Sequence, residues 1–261
     1  SRYTGAKNLR DLIASNQQWE ISDEKEYSSE QYDIISKRLY GVVFGVASQI
    51  VEEGVCSMED VDRGAKVGLR WAKGPFELMN RIGVGNAYQM AESYAELCKL
   101  SEGSSSWEVP EFFKQQASSN QPWSFTYVDT NIVNGIATLT INRPEAMNAL
   151  NETVVNQLTK AIDKVNSDDS VDTIVIDGAG KAFVAGADVK FFVDKIRADS
   201  IDDIYEFTAN GHKMLNSIEN SSKTTVALTT GLALGGGLEL ALSCDYRIGT
   251  RRTQFRFPET S

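Results

Sequence analysis

A single histidine, His212, occurs in this chain of 261 residues. Metal sites that need two imidazoles are therefore excluded, and any Ser-His-Asp or Cys-His unit would have to use this one residue. It falls in the stretch 201–218, where apolar residues at 201, 204, 207, 214 or 215 and 218 follow a helical period, so its position reads as the polar face of a helix. Cysteine is also sparse. Cys56, Cys98 and Cys244 are odd in number, far apart and without C-x-x-C spacing, which argues against a disulfide framework or a zinc site and fits reduced thiols in the cytoplasm. Five prolines, 41% hydrophobic residues and no apolar run near the ~18–20 residues of a bilayer span describe a folded chain that does not cross a membrane. Positive charge is short as well: 26 Lys and Arg face 36 Asp and Glu, and residues 1–125 and 126–261 each hold 13 basic and 18 acidic side chains. Neither half has the balance of a nucleic-acid binder. Chemistry has to be sought among carboxylates and backbone amides.

No methionine opens the chain, no basic-then-apolar leader follows Ser1, and Phe257-Pro-Glu-Thr-Ser261 ends it directly after a motif. The expectation is of a non-secreted piece of a longer protein, with sequence missing downstream.

Two regions differ in period. Between residues 34 and 53, Ile34, Ile35, Leu39, Val42, Val43, Val46, Ile50 and Val51 recur three and four apart and predict one amphipathic helix ending at Gly54. Ser57-Met-Glu-Asp60 supplies a cap and first-turn acids for a short helix to Leu69, and a further apolar-periodic stretch covers 75–99 after Lys73-Gly-Pro-Phe76. Residues 1–100 thus read as all-helical. Residues 101–125, rich in Ser, Gln and Pro, read as a linker, although Trp107, Phe112, Phe113 and Trp123 suggest a short docked helix from Pro110. From 126 to 261, strands at 136–141, 173–176, 181–185 and 225–228 alternate with helices at 151–165 and 201–220. Such alternation predicts a mainly parallel sheet with ligands at the strands' C-terminal ends.

Two glycine-rich turns stand out. Gly231-Leu-Ala-Leu-Gly-Gly-Gly-Leu-Glu239 leads into a helix starting near Leu238. Its bare backbone can approach a ligand, where exposed N–H groups and the helix dipole favour negative charge. Such a turn can cradle an oxyanion; a tight strand-to-helix turn serving packing is the alternative. Lys181-Ala-Phe-Val-Ala-Gly-Ala-Asp-Val-Lys190 is a second strand end that could aim an N–H into a cleft, with a packing turn again as the alternative. Neither Gly178-Ala-Gly180 nor Gly83-Val-Gly85 completes a G-x-G-x-x-G fingerprint. Glu239 and Glu259 are isolated acids, each read alone as a capping or surface carboxylate.

Taken in order, Ile141-Asn-Arg-Pro-Glu-Ala-Met-Asn-Ala-Leu150, Ala185-Gly-Ala-Asp188, Ala233-Leu-Gly-Gly-Gly-Leu-Glu-Leu240 and Phe257-Pro-Glu259 resemble the enoyl-CoA hydratase/isomerase (crotonase) family over about 126–261. Met58 to Met79, with Lys73-Gly-Pro-Phe-Glu-Leu-Met79, resembles the C-terminal helical domain of 3-hydroxyacyl-CoA dehydrogenases over about 28–100. The resemblance implies a helical N-terminal domain followed by a C-terminally truncated α/β crotonase-like domain with a ββα superhelix. It implies an oxyanion hole from the N–H groups of Ala187 and Gly236, and catalytic carboxylates at Glu239 and Glu259. An acyl-CoA site would run along Ala187, Asp188, Val189 and Lys190 together with Gly236, with positive charge from Lys190, Lys181 or Arg143, and Arg256 could alter the pocket. Hydration of trans-2-enoyl-CoA needs no metal and no redox cofactor. NAD would serve only a dehydrogenase part whose nucleotide domain lies elsewhere, in a homo-oligomeric fusion enzyme. A Δ3-Δ2 enoyl-CoA isomerase and a catalytically silent assembly fragment remain as alternatives.

Overall fold

The computed structural model describes residues 28–100 and 107–258, together with the single positions 11, 14 and 15. Residue Glu259, the stretch 101–106 of the expected linker and most of residues 1–27 lie outside the described residues.

Five helices form the first half: α1 Ser29–Glu52, α2 Met58–Gly68, α3 Pro75–Ile82, α4 Val84–Leu100 and α5 Glu111–Ser119. Local chemistry sets their limits. The Ser28 hydroxyl accepts from Gln31 N while the Gln31 side chain accepts from Ser28 N, a reciprocal cap, and the Ser57 hydroxyl caps α2 through Asp60 N at 3.1 Å. Gly83, at φ 90°, separates α3 from α4, so the apolar stretch 75–99 is two helices rather than one.

The buried face of α1 departs from the sequence reading. It consists of Gly41, Phe44, Gly45, Ala47 and Ser48, whereas Ile34, Ile35, Leu39 and Val46 of the expected stripe are exposed. Small residues decide this: Gly41 lies against the backbone of Met90 on α4, and Gly45 against the ring of Trp107, approaches that larger side chains would block. An 18-residue window of α1 has a mean hydropathy of 1.3, so by length and composition this helix is also apolar enough to cross a membrane, which corrects the expectation that no stretch qualifies.

The second half holds β1 Val128–Val133, β2 Ile136–Ile141, α6 Glu152–Asn166, β3 Thr173–Gly178, β4 Ala182–Ala185, α7 Val189–Arg197, α8 Ile201–Glu219, β5 Thr224–Thr229, β6 Leu232–Leu234, α9 Gly236–Leu242, β7 Tyr246–Gly249 and β8 Gln254–Arg256. A five-stranded sheet has the order β1-β2-β3-β5-β7, and a three-stranded sheet the order β4-β6-β8. All pairings are parallel except β1 with β2, a hairpin closed by Asn134 and Gly135, both at positive φ. The strand β1 and with it the antiparallel pairing, α7 and the strands β6 to β8 were not among the expected elements.

Each half has its own apolar cluster, the first around Phe44, Phe76, Met79 and Phe113, the second around Leu139, Leu158, Ile174 and Phe183. Phe125 packs against both. The chain on either side of it is fixed by side-chain amides: Asn80 exchanges two hydrogen bonds with the Trp123 backbone at 2.7 and 2.9 Å, and Gln157 donates to Phe125 O and accepts from Tyr127 N at 2.6 and 2.7 Å. Phe113 and Trp123, from the stretch read as a linker, sit in the first cluster.

Asp62 on α2 is 2% exposed and accepts from Phe76 N and Glu77 N at 2.8 and 2.9 Å, capping α3 from a neighbouring helix. Burial pushes its carboxyl up to about 6, against the opposing pull of the two N–H groups. The folded chain therefore binds this proton more tightly than the unfolded chain, and stability falls as pH rises through the interval between their pKa values. Below that interval the trend reverses. Hydrogen bonds from Ser170 and Thr225 hold Asp168 and Asp245 under the ordinary carboxylate value, and what they contribute is lost as the pH falls through their own titration. In denaturant titrations, lowering the pH from 7 to 5 is expected to raise stability by about 1–2 kcal/mol, and Asp62→Asn to flatten that response.

Candidate active site

The parallel register of β4 and β6 pairs Ala185 with Leu234. Both strands then turn through a glycine at positive φ, Gly186 at 87° and Gly235 at 46°, conformations that a side chain would strain. Ala187 and Gly236 each lie two residues beyond the paired ends, and so come together. A Cβ placed on Gly236 would sit 3.9 Å from Ala187 N, 3.8 Å from Glu239 Oε2 and 3.5 Å from Leu150 Cδ1. Three of the sequence-derived site residues thus converge on one point.

The turn carrying Ala187 is held from outside. Leu150 N donates to Gly186 O at 2.9 Å and Asp188 N donates to Leu150 O at 2.8 Å. This parallel bridge uses the groups on either side of Ala187, so its own N–H points away from the Leu150 backbone. Neither the Ala187 nor the Gly236 amide donates a hydrogen bond to another described residue. Asn148, fully buried, secures the loop that presents Leu150: its Oδ1 accepts from Arg143 N at 2.9 Å and its Nδ2 donates to Ala179 O and Ala182 O at 2.9 and 2.8 Å. Sequence reading quoted both residues within a motif without assigning them this work.

Helix α9 starts at Gly236, two residues earlier than expected, and has only seven residues, so the individual amides matter here more than any helix dipole. Glu239 is exposed on its first turn, facing a cavity of about 340 Å³ lined also by Leu150, Ala187, His212 and Phe257. Phe192, Phe207 and Met214 make the apolar wall, the rings of Phe191, Phe192 and Phe207 packing with centroids 4.9–5.6 Å apart. His212 is exposed on α8, as expected of a polar face, yet it sits at the rim of this cavity. No spacing rule links α8 to α9, which is why the sequence did not reveal it.

The remaining candidates divide. Asp188 caps α7, accepting from Lys190 N at 3.1 Å, and pairs with Arg143 at 2.8 Å, so Arg143 is already neutralised. Val189 and Lys190 are exposed on the first turn of α7, Lys190 lining two adjoining clefts toward the helical half. Lys181 and the Arg256 side chain are exposed and line none of the cavities described here, while Arg256 O accepts from Gly235 N at 2.9 Å. Cys244 is buried and its thiol pushed up to about 12 by that burial, which leaves it without thiolate character. Among the described residues no group of three His, Cys, Asp or Glu is placed to hold a metal ion. The glycine pairs do not fit a dinucleotide either: Gly178 to Gly180 leads from one strand to another, and Gly83 to Gly85 joins two helices.

Two amides beside a carboxylate, at the end of an apolar cavity, are an arrangement that can stabilise negative charge developing on a bound oxygen. Residues 136–261 match the family described as enoyl-CoA hydratase/isomerase, and residues 34–121 the family described as 3-hydroxyacyl-CoA dehydrogenase, C-terminal domain. Each half of the chain is thus similar to a segment of a different family. Crotonyl-CoA hydratase of Syntrophomonas wolfei is 43% identical over 125 residues, which make up 48% of this chain and 46% of that protein. Short-chain-enoyl-CoA hydratase of Clostridium acetobutylicum is 37% identical over the same shares. A solved enoyl-CoA hydratase/carnithine racemase from Magnetospirillum magneticum is 33% identical, covering 52% of this chain and 51% of its own, with a TM-score of 0.49. The chain spans just under half the length of these curated relatives.

Gly236 and Gly237 differ sharply in what a methyl group would meet. At 236 the nearest atoms stand at ordinary contact distance; at 237 the new carbon would run into the carbonyl oxygen of Val184. Gly236→Ala is expected to keep its denaturation midpoint, and Gly237→Ala to lose about 1–3 kcal/mol in the same measurement.

Proposed function

We propose that this chain is part of an enzyme that adds water across trans-2-enoyl-CoA to give 3-hydroxyacyl-CoA, a step of fatty-acid β-oxidation. The observation that supports it is the convergence of the Ala187 amide, the Gly236 backbone and the Glu239 carboxylate at the end of an apolar cavity. In this reading water adds at C3 while negative charge builds on the thioester oxygen, which the N–H groups of Ala187 and Gly236 receive. Each such donor lowers the barrier by about 2.7–4 kcal/mol. One of Glu239 and Glu259 accepts the proton lost by water and the other, protonated, delivers a proton to C2. Two neighbouring carboxylates suit this, because their repulsion discourages double ionisation and lets the pair share one proton. The turn Ala187 to Lys190 lines the acyl-CoA beside it.

The same reading makes CoA part of the substrate and asks for no other cofactor in the hydration. It places the chain in a cytoplasmic, homo-oligomeric fusion protein with domains at 1–100 and 126–261 joined by 101–125. The longer protein would also carry 3-hydroxyacyl-CoA dehydrogenase activity, which would use NAD. The segment related to that dehydrogenase is what supports this part, and no step is assigned to NAD among the residues described.

With the full-length protein, loss of the conjugated thioester absorbance of crotonyl-CoA follows hydration directly. Glu239→Gln and Glu259→Gln are each expected to lower kcat by about 10²–10⁴-fold. Gly236→Ala, which fills the point between amide and carboxylate, should lower it while leaving the fold intact. An unreactive wild-type protein, or two glutamine variants with undiminished hydration, would overturn the proposal. Supplying a 3-enoyl-CoA instead tests for an isomerase, which would create the conjugated absorbance rather than consume it.

A further inference from the structure

Cations at the boundary between the two halves fall into two groups. Arg63 pairs with Asp60 and Glu145 at 2.7 and 3.3 Å, Lys66 with Glu77 and Glu145 at 2.8 and 3.6 Å, and Arg143 with Asp188 at 2.8 Å. Lys73, Arg81 and Lys190 have no carboxylate within ion-pair distance among the described residues. In a chain of net charge −10, three free cations in one place are notable because carboxylates to neutralise them are plentiful elsewhere. They surround a single cavity of about 430 Å³ that no carboxylate lines, with Tyr40 and Trp71 as its aromatic walls. Tyr40 is set in place by stacking on Phe44, centroids 5.4 Å apart, and Trp71 is half-buried.

This cavity adjoins a second, more polar one of about 350 Å³ that shares Ala72, Lys73 and Lys190 with it; five carboxylates line the second, of which, among the described residues, Glu77, Glu145 and Asp188 are paired with Lys66, Arg63 or Arg143 and Glu152 and Asp194 are not. Lys190 is three residues past Ala187, on the first turn of α7. The two clefts meet at Lys190, and the second reaches Asp188, the residue after Ala187, on the turn that carries one of the two amides. A ligand that is flat at one end, carries several phosphate charges there and reaches an acyl oxygen at the other has the chemistry this surface selects. Aromatic faces receive the base, and fixed ammonium and guanidinium groups receive phosphate oxygens.

We propose that Tyr40, Trp71, Lys73 and Arg81 of the helical half, together with Lys190, form the subsite for the phosphorylated adenosine end of the acyl-CoA. The inference rests on the hydratase reading above and deepens it: the helical half completes the substrate site of its neighbour. Its test does not depend on turnover. Adenosine 3′,5′-bisphosphate, titrated calorimetrically into the full-length protein, is expected to bind about tenfold more weakly to Trp71→Ala and to the doubly substituted Lys73→Ala/Arg81→Ala protein. The second variant removes only surface charge and guards against a folding defect in the first. In turnover, the ratio of kcat/KM for crotonyl-CoA to that for crotonyl-pantetheine, which lacks the nucleotide, should fall by about the same factor. Equal binding of the bisphosphate by wild type and both variants would overturn the subsite, as would inorganic phosphate displacing it at equal concentration, which would mark a simple anion site. A protein that hydrates nothing yet binds the bisphosphate in a variant-sensitive way loses the hydratase reading and keeps the subsite. One that hydrates crotonyl-CoA with an unchanged substrate ratio keeps the former and loses the latter.

Discussion

The register that sets Ala185 opposite Leu234 is the constraint on which the site depends. Parallel neighbours run their ends out on the same side, so whatever follows each strand is delivered to one place. Here that is an amide from each turn, reached through a glycine with positive φ. A shift of one residue in this pairing would move one amide and leave the other, and the two turns would no longer converge on one point. The bridge from Leu150 and the buried amide of Asn148 fix the outer turn independently of any ligand. Donors held in this way would need little reorganisation if charge developed between them, which is the physical basis of the role proposed for them.

Charge organises the boundary between the halves. Glu145, in the loop that leads to Asn148 and Leu150, is enclosed by Arg63 and Lys66 from α2. Its side chain is only 9% exposed, so removing one partner would leave a poorly solvated charge, a larger penalty than the loss of an exposed pair. The same loop thus answers to the helical half on one side and to the amide turn on the other.

Much of this was legible in the sequence, for reasons that differ by element. The strands 136–141, 173–176 and 225–228 and the helix through Val154, Leu158 and Ile162 declare themselves because one face is buried and the other is not. The capping residues Ser57 and Asn151 mark helix starts through their own hydrogen bonds. Val128–Val133 was not read, because only Val128 of that edge strand is buried and its alternation is correspondingly faint, although Asn134-Gly135 carried the hairpin signal. The stripe on α1 misled for the opposite reason: branched aliphatic residues were prominent, but glycine and alanine set the close approach to α4. At the site, the ordered motifs pointed to Ala187, Gly236 and Glu239, while the wall formed by Phe192, Phe207 and Met214 depends on how α7 and α8 pack together, which no local spacing encodes.

Phe125 has a wider consequence. Its ring belongs to both apolar clusters, and the backbone on either side is tied to α3 by Asn80 and to α6 by Gln157. The junction between the halves is therefore interior rather than tether. An exchange of either half against a homologous piece would have to bring residues 123–127 and both of those amide side chains with it, and any loosening of one core would be felt as a loss of packing in the other.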